Sequence, residues 1–236
     1  MTMQNAPWIF PGLGNRRWVE LRLDALARAD FPDITVENPL NDPEFCDRWI
    51  TALTARLGAD HSWGGWLEDR THLWRGHYLP EGCFIHLGID LNVPAGTTVL
   101  APVTGEVVHA IPCGLLGGGW GGWIVLRADT PQDGAAFVVL GHLAHEGLPP
   151  PGTRLVRGAV AGMIGTPQEN GGWYPHLHLQ SMSEAAWEMV QHAPDTLLDG
   201  YAPADAALPH LFPDPAPLVG LRPRSASHER SIDSAA

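Results

Sequence analysis

The sequence predicts a mainly β protein with an α-helical extension at its N-terminus, and two observations support this. From residue 83 to about 182, short apolar runs are separated by Gly, Pro and Asp residues, which is typical of strands joined by turns. Before residue 60, apolar residues instead recur at helical spacing. Strands are predicted near residues 84–91, 97–101, 104–111, 122–128, 136–143, 153–164 and 176–182.

Two helices are predicted in the N-terminal extension. The first spans residues 16–30, where the helical spacing is set by Trp18, Leu21 and Ala25. The second is capped by Asn41 or Asp42, has Pro43 in its first turn and ends at Gly58. Its apolar stripe, which we interpret as core packing, consists of Phe45, Trp49, Ile50, Leu53 and Leu57.

The sequence after the strands predicts a short helix and an extended tail. The helix covers residues 183–192 and is capped by Ser183. The proline-rich segment that follows is expected to wrap the domain as far as residue 222, because proline disfavours continued helix. The predicted organisation is therefore a helical extension over residues 1–60, a β domain over 61–222 and a disordered tail over 223–236.

Composition and charge narrow the class of function. The chain has 236 residues, of which 44% are hydrophobic and 17% charged, so it has the composition of a globular protein with one sizeable domain. Its formal net charge is -12, and all 14 basic residues are Arg. An acidic chain without a basic run is a poor nucleic-acid ligand, so we expect no nucleic-acid partner.

Cysteine usage and hydropathy indicate the compartment. Cys46, Cys83 and Cys113 form no Cys-x-x-Cys unit, and an odd number of cysteines argues against a disulfide framework. We expect buried free thiols. The sequence shows neither a basic segment followed by an apolar leader nor a run of 18 apolar residues, so we expect a cytoplasmic protein with no membrane association.

Two segments about ninety residues apart place metal-binding side chains within apolar runs. His86 and Asp90 are four apart and His176 and His178 are two apart, so each pair lies on one face of an extended strand. Two imidazoles and a carboxylate suit Zn²⁺, and three protein ligands leave a fourth position for water. The alternative is a set of hydrogen-bonded core histidines. However, burying three imidazoles and a carboxylate with neither a metal nor a polar network would cost several kcal/mol.

A third segment completes a recognisable pattern. The three motifs are His86-x-x-x-Asp90, Gly141-His142-Leu143 and His176-Leu177-His178. In residue type, order and spacing they resemble the motifs of the lysostaphin- and LytM-type zinc endopeptidases. Residues 94–108 and 151–165 also resemble segments of that family, and the likeness spans roughly residues 60–222. The resemblance implies an antiparallel β-sheet, β-sandwich-like metallopeptidase core of the duplicated hybrid motif type.

The resemblance also implies a mechanism. It assigns one Zn²⁺ per chain to His86, Asp90 and His178, and makes His142 and His176 catalytic residues. One of the two histidines would take a proton from water and the other would stabilise the developing oxyanion, with the division of roles left open. The implied reaction is hydrolysis of a peptide or amide bond, in a peptide, a peptidoglycan-like substrate or a small amide.

The loop from residue 61 to 75 supplies a further candidate. Its Glu68-Asp69-Arg70 segment resembles one found in a cytoplasmic branch of the family that occurs fused to aminotransferase-like domains. Arg70 could bind a substrate carboxylate, because a guanidinium group suits bidentate recognition. An ion pair with Glu68 or Asp69 at the surface is the alternative.

Several features leave the function open. Residues 166–173 and Leu179-Gln180 depart from the family pattern, and the former departure suggests a reshaped substrate groove. The Gly-rich segment 114–122 is interpreted as a turn that lines this groove with Trp120. Three alternatives to a cell-wall peptidase are a non-catalytic binding module of the same fold, a sugar-phosphotransfer carrier and an intracellular zinc amidohydrolase.

Overall fold

The computed structural model describes residues 4–35, 37–76, 79, 81–112, 119–192 and 200–222. Its strands are β1 (Trp18–Glu20), β2 (His61–Gly64), β3 (Ile85–His86), β4 (Ile89–Asn92), β5 (Thr98–Leu100), β6 (Gly105–Pro112), β7 (Gly122–Gln132), β8 (Ala135–Leu143), β9 (Arg154–Leu155), β10 (Val160–Met163), β11 (Leu177–Met182) and β12 (Tyr201–Ala202). Its α-helices are α1 (Leu23–Asp30), α2 (Pro43–Arg56), α3 (Glu184–His192) and α4 (Leu208–Leu211).

Eight strands form one sheet in the order β1-β2-β4-β11-β8-β7-β6-β9. Every pair in it is antiparallel except β1 with β2, which are parallel. Strands β10 and β5 form a second, two-stranded sheet, and β12 and β3 form a third. The prediction of a mainly antiparallel β fold with helices in the N-terminal part is confirmed.

Strand β11 lies at the centre of the large sheet and divides its side chains between two faces. His178 is opposite Asp90 on β4 and opposite Gly141 on β8. Its neighbours Leu177 and Leu179 point to the other face, where both are fully buried in the core. Period-two alternation therefore separates the polar face of this strand from its apolar face, as the sequence predicted.

The prediction of a helix over residues 16–30 is wrong for the first half of that range. Residues 18–20 form β1, and α1 begins only at Leu23. Trp18 joins the core of the large sheet, whereas Val19 and Leu21 join the core beneath the N-terminal helices. The segment pairs in parallel with β2, and its two faces contact two different apolar cores. These tertiary contacts favour a strand more strongly than the helical spacing of the sequence favours a helix.

The predicted strand over residues 84–91 is interrupted. Leu87 and Gly88 separate β3 from β4, and the two strands belong to different sheets. The chain passes close to β11 at this point, because a Cβ at Gly88 would lie 2.5 Å from the Leu179 carbonyl oxygen. His86 and Asp90 are therefore brought together by a turn rather than by one continuous strand.

The run predicted over 153–164 is likewise two strands, β9 and β10.

Helix α2 forms as the sequence predicts. The side chain of Asp42 accepts a hydrogen bond from the Phe45 amide at 2.7 Å and Pro43 occupies the first turn. Its buried side chains are Cys46, Trp49, Ile50, Leu53 and Thr54. The apolar members of this set pack in one cluster with Tyr174 and Tyr201. The extension and the segments that flank the His-x-His motif thus share a core.

The remaining expectations have mixed outcomes. Cys46 and Cys83 are buried free thiols, whereas Cys113, most of the Gly-rich segment and the tail over 223–236 lie outside the described residues. Among the described helices, none is long and apolar enough to cross a membrane.

The junction of the extension with the large sheet can be tested at Gly64. A Cβ there would lie 2.2 Å from the carbonyl oxygen of Leu21. We expect Gly64→Ala to lower the free energy of unfolding by about 1–3 kcal/mol, the usual cost of forcing backbone apart in a packed region. Denaturant titration measures this. Gly12→Ala is the control, because a Cβ at Gly12 would have no neighbour within 4 Å, and equal effects of the two substitutions would contradict the packing described.

Candidate metal centre

Three ligand atoms converge above the polar face of the large sheet. Asp90 Oδ1 lies 3.3 Å from His86 Nε2 and 3.2 Å from His178 Nδ1. The two nitrogens are 3.0 Å apart. A tetrahedral Zn²⁺ with bonds of about 2.0–2.1 Å requires ligand atoms about 3.3 Å from one another, so this donor set fits zinc in chemistry and spacing. Within the described part of the chain, this is the group of side chains that could hold a metal ion.

Hydrogen bonds fix which nitrogen of each candidate ligand faces the centre. His86 Nδ1 lies 2.9 Å from the Gly65 carbonyl oxygen, and His178 Nε2 lies 3.2 Å from Gln180 Oε1. A carbonyl oxygen only accepts, so these two contacts favour the tautomers in which the outer nitrogen carries the proton. The inner nitrogens, Nε2 of His86 and Nδ1 of His178, therefore present lone pairs to a cation.

The two histidines predicted to be catalytic lie beside this group. His176 Nε2 is 3.5 Å from Asp90 Oδ1, and the His142 and His176 rings are 4.3 Å apart between centroids. The Nδ1 atoms of His176 and His142 donate to the carbonyl oxygens of Tyr174 and Asn170 at 2.7 and 2.9 Å. Both Nε2 atoms are consequently unprotonated acceptors, able to take a proton.

His142 has an unusual backbone conformation. Its φ is 63°, in the left-handed region that side chains other than glycine rarely adopt. Backbone hydrogen bonds hold it on both sides: its amide donates to the Trp120 carbonyl at 2.8 Å, and its carbonyl accepts from Gly165 at 2.9 Å. These bonds at the end of β8 turn the imidazole towards His176.

Arg70 lies beneath the candidate metal ligands. Its guanidinium is 1% exposed, with Nη1 2.6 Å from Asp90 Oδ2 and Nε 3.1 Å from Glu68 Oε2. Nη1 also lies 3.2 Å from the Tyr201 hydroxyl oxygen. The sequence suggested an ion pair with Glu68 at the surface, but the pair is buried and extends to Asp90. The substrate contact suggested for Arg70 stays a prediction.

Burial sets the protonation of the site. It lowers the pKa of His86 to about 3 and that of His176 to about 4, and it holds the pKa of His142 well below its usual range. Burial alone would raise the pKa of Asp90, but the neighbouring His86 and Arg70 hold it well below its usual value. At neutral pH, His86, His142 and His176 are thus neutral and Asp90 is ionised, and a neutral imidazole and a carboxylate are the forms that bind a metal.

Aromatic side chains wall the cleft above the site. The cleft holds about 330 Å³ of empty space open to solvent. Its aromatic lining consists of Trp74, Trp120, Trp173, Tyr174 and Tyr201. Trp173 contacts Trp74 edge-on, with 5.1 Å between the ring centroids, and donates from Nε1 to the Gly119 carbonyl at 3.0 Å, so two contacts hold its indole in the lining. Trp120 lines the cleft as the sequence suggested.

Sequence reasoning missed two supporting residues. Gln180 appeared only as a departure from the family pattern, yet it orients His178. The two-residue spacing from His178 would have placed it on the same face. Tyr201 pairs with His86 across β12 and β3, and its sequence context, far from the three motifs, gave no signal.

Comparison with protein families agrees with the site. Residues 84–189, which contain all three motifs, match the model of peptidase family M23. This segment is similar to the M23 peptidases. The resemblance to the lysostaphin and LytM type is thereby confirmed at the level of the family. A search among curated protein sequences gives no match.

Solved M23 structures resemble parts of the chain. The solution structure of lysostaphin is 29% identical and has a TM-score of 0.34; the match covers 42% of this chain and only 37% of that one. The catalytic domain of the antimicrobial peptidase lysostaphin from Staphylococcus simulans is 24% identical over 58% of this chain and 84% of that chain, with a TM-score of 0.36. A zinc-containing peptidase from Vibrio cholerae is 22% identical over 41% and 26% of the two chains, with a TM-score of 0.33. Since these TM-scores are low, the assignment to M23 rests on the family model.

The buried imidazoles predict acid sensitivity of the metal-free protein. Because the folded pKa values of His86 and His176 lie below the ordinary 6.5, the unfolded chain binds more protons between pH 6.5 and about 4. As the pH is lowered through this window, we expect the free energy of unfolding to fall by up to about 1.4 kcal/mol per pH unit for each such histidine. Denaturant titration at several pH values measures the slope.

A matched pair of variants assigns that slope to the site. His176→Gln removes one of the buried titrating groups and should reduce the slope. His210→Gln removes an exposed histidine and should leave it unchanged. A slope that is the same in wild type and His176→Gln would show that His176 protonates equally in the folded and unfolded chain.

Proposed function

We propose that the chain is a zinc-dependent hydrolase of peptide or amide bonds, of the lysostaphin type. The observation that carries this proposal is the convergence of His86 Nε2, Asp90 Oδ1 and His178 Nδ1 within 3.0–3.3 Å of one another, inside the segment that matches the M23 peptidase model. All three side chains are at least 97% buried, so they would hold an ion away from bulk water. Zinc is the cofactor that this donor set suits best.

The five site residues divide into two roles. His86, Asp90 and His178 would hold the zinc, which when bound makes water nucleophilic near neutral pH and polarises a carbonyl group. His176 stands nearest to the ligands, and its unprotonated Nε2 is the candidate general base. The ring of His142 lies beyond that of His176, at 4.3 Å between centroids. Once His142 carries a proton, it would donate a hydrogen bond to the substrate oxygen that becomes negative.

The lining of the cleft limits the class of substrate more than the metal ligands do. Its aromatic walls favour a substrate that presents apolar or planar groups, such as peptide units, beside the scissile bond. A peptide or a peptidoglycan-like peptide satisfies this, and so does a small intracellular amide. A panel of intact peptidoglycan, quenched fluorescent peptides and N-acyl amino acid amides separates these classes. Hydrolysis of the small amides alone would assign the chain to intracellular amide metabolism.

The metal itself is tested by elemental analysis of chain purified without chelators. We expect about one zinc per chain in the wild type, and none in His86→Ala, which removes one of three ligands. His210→Gln should keep the metal, because His210 is exposed and is not among the residues that line the site. Equal zinc content in wild type and His86→Ala would refute the assigned ligand set.

The two catalytic histidines are tested by kinetics at full zinc occupancy. His176→Gln and His142→Gln should bind zinc as the wild type does, because neither residue is assigned to the metal. Their kcat/KM should fall by about 10²–10⁴, the usual contribution of a positioned acid or base. Wild-type kcat/KM in His176→Gln would remove it from the mechanism and leave the proposed metal site unaffected.

A further inference from the structure

The carboxylate of Asp90 has two different environments. Its Oδ1 faces three imidazole nitrogens, on His86, His176 and His178, at 3.2–3.5 Å. Among the residues that the structure describes, the hydrogen-bond partner of its Oδ2 is the Arg70 guanidinium, at 2.6 Å. Asp90 is 2% exposed, so its carboxylate has no access to bulk water to satisfy Oδ2 if the arginine were absent. Arg70 thus determines which oxygen is directed at the candidate metal position.

Arg70 is itself held by a short chain of contacts. Its Nε lies 3.1 Å from Glu68 Oε2, while Glu68 Oε1 accepts the backbone amide of Asp24 at 3.1 Å. Asp24 lies in the first turn of α1, in the N-terminal extension. The connection therefore runs from Asp24 through Glu68 and Arg70 to Asp90, and every member is at least 91% buried.

The backbone fixes these two side chains beside the metal ligands. The amide of Arg70 donates to the Phe84 carbonyl at 2.9 Å, and the amide of His86 donates to the Glu68 carbonyl at 3.0 Å. The segment that contains Glu68 and Arg70 therefore runs alongside β3 in an antiparallel ladder. Its two-residue spacing places both side chains on one face, under the ligands.

We propose that Arg70 is a positioning residue that holds Asp90 in one orientation for the metal, and that Glu68 aligns Arg70 from the side of helix α1. This inference rests on the proposed zinc site. Its consequence is that the N-terminal extension, which supplies no metal ligand, contributes to metal affinity. The arrangement needs a planar group with several donors, because one guanidinium contacts Asp90, Glu68 and Tyr201 at once.

A Lys side chain cannot reproduce this geometry, so Arg70→Lys tests it while retaining the positive charge. Zinc affinity of the full chain is measured by competition with a chromophoric chelator. We expect about 10–100-fold weaker binding, the usual effect of removing a hydrogen-bond partner of a metal ligand. Glu68→Gln should weaken binding in the same direction but less. Arg75→Lys, an exposed arginine five residues along the same loop, should match the wild type.

The visible spectrum of the Co²⁺-substituted protein gives a second readout that general destabilisation does not change. Four-coordinate Co²⁺ absorbs far more strongly than Co²⁺ with more ligands. In the wild type, Arg70 keeps Oδ2 of Asp90 from the metal. In Arg70→Lys that oxygen is free to coordinate, and we expect the absorption to weaken. The metal-free variants are first compared by thermal unfolding; if Arg70→Lys does not fold, Glu68→Gln decides by the same two readouts.

Each outcome has one meaning. Folded Arg70→Lys with wild-type zinc affinity and Co²⁺ spectrum overturns the positioning role, and the proposed zinc hydrolase still stands if the wild type binds zinc and hydrolyses its substrate. Weakened binding in Arg70→Lys but not in Glu68→Gln overturns the link to helix α1. A wild-type chain that binds no zinc overturns both proposals.

Discussion

The structure depends on the partners that stabilise one buried carboxylate, that of Asp90. A carboxylate removed from water costs several kcal/mol unless its oxygens find partners, and Asp90 finds them on two sides. Imidazoles from β3 and β11 surround one oxygen, and the Arg70 guanidinium binds the other. These partners come from three separate parts of the chain, so β3, β11 and the loop before β3 must all be in place together.

The extension and the segment that matches the M23 model share a core. Helices α1 and α2 bury their apolar faces against residues that flank the site, Tyr174 and Tyr201 among them. The charged groups beneath the site are thereby sealed from solvent, which strengthens the attraction between Arg70 and its two carboxylates. The extension therefore packs against two residues that line the cleft, Tyr174 and Tyr201.

Sequence patterns predicted the chemistry of the site better than its surroundings. The structure brings His86, Asp90, His176 and His178 together, although the interruption between β3 and β4 means that the strand period does not by itself account for the pairing of His86 with Asp90. The environment of Arg70 could not be predicted, because it depends on a contact between residues 70 and 90 and on burial by a helix some forty residues earlier. Residues 16–20 were wrongly predicted as helix for the same reason: their partner, β2, is distant in sequence.

The place of β11 in the sheet has a consequence for biosynthesis. It is the last of the long strands in chain order, yet it lies between β4 and β8, which are translated well before it. Until Leu177–Met182 has been synthesised, β4 and β8 lack the strand that lies between them in the folded sheet. A nascent chain at that stage holds His86 and Asp90 but lacks His178. An incompletely translated chain therefore cannot assemble the candidate metal centre, because the third of its ligands arrives with the strand that joins β4 to β8.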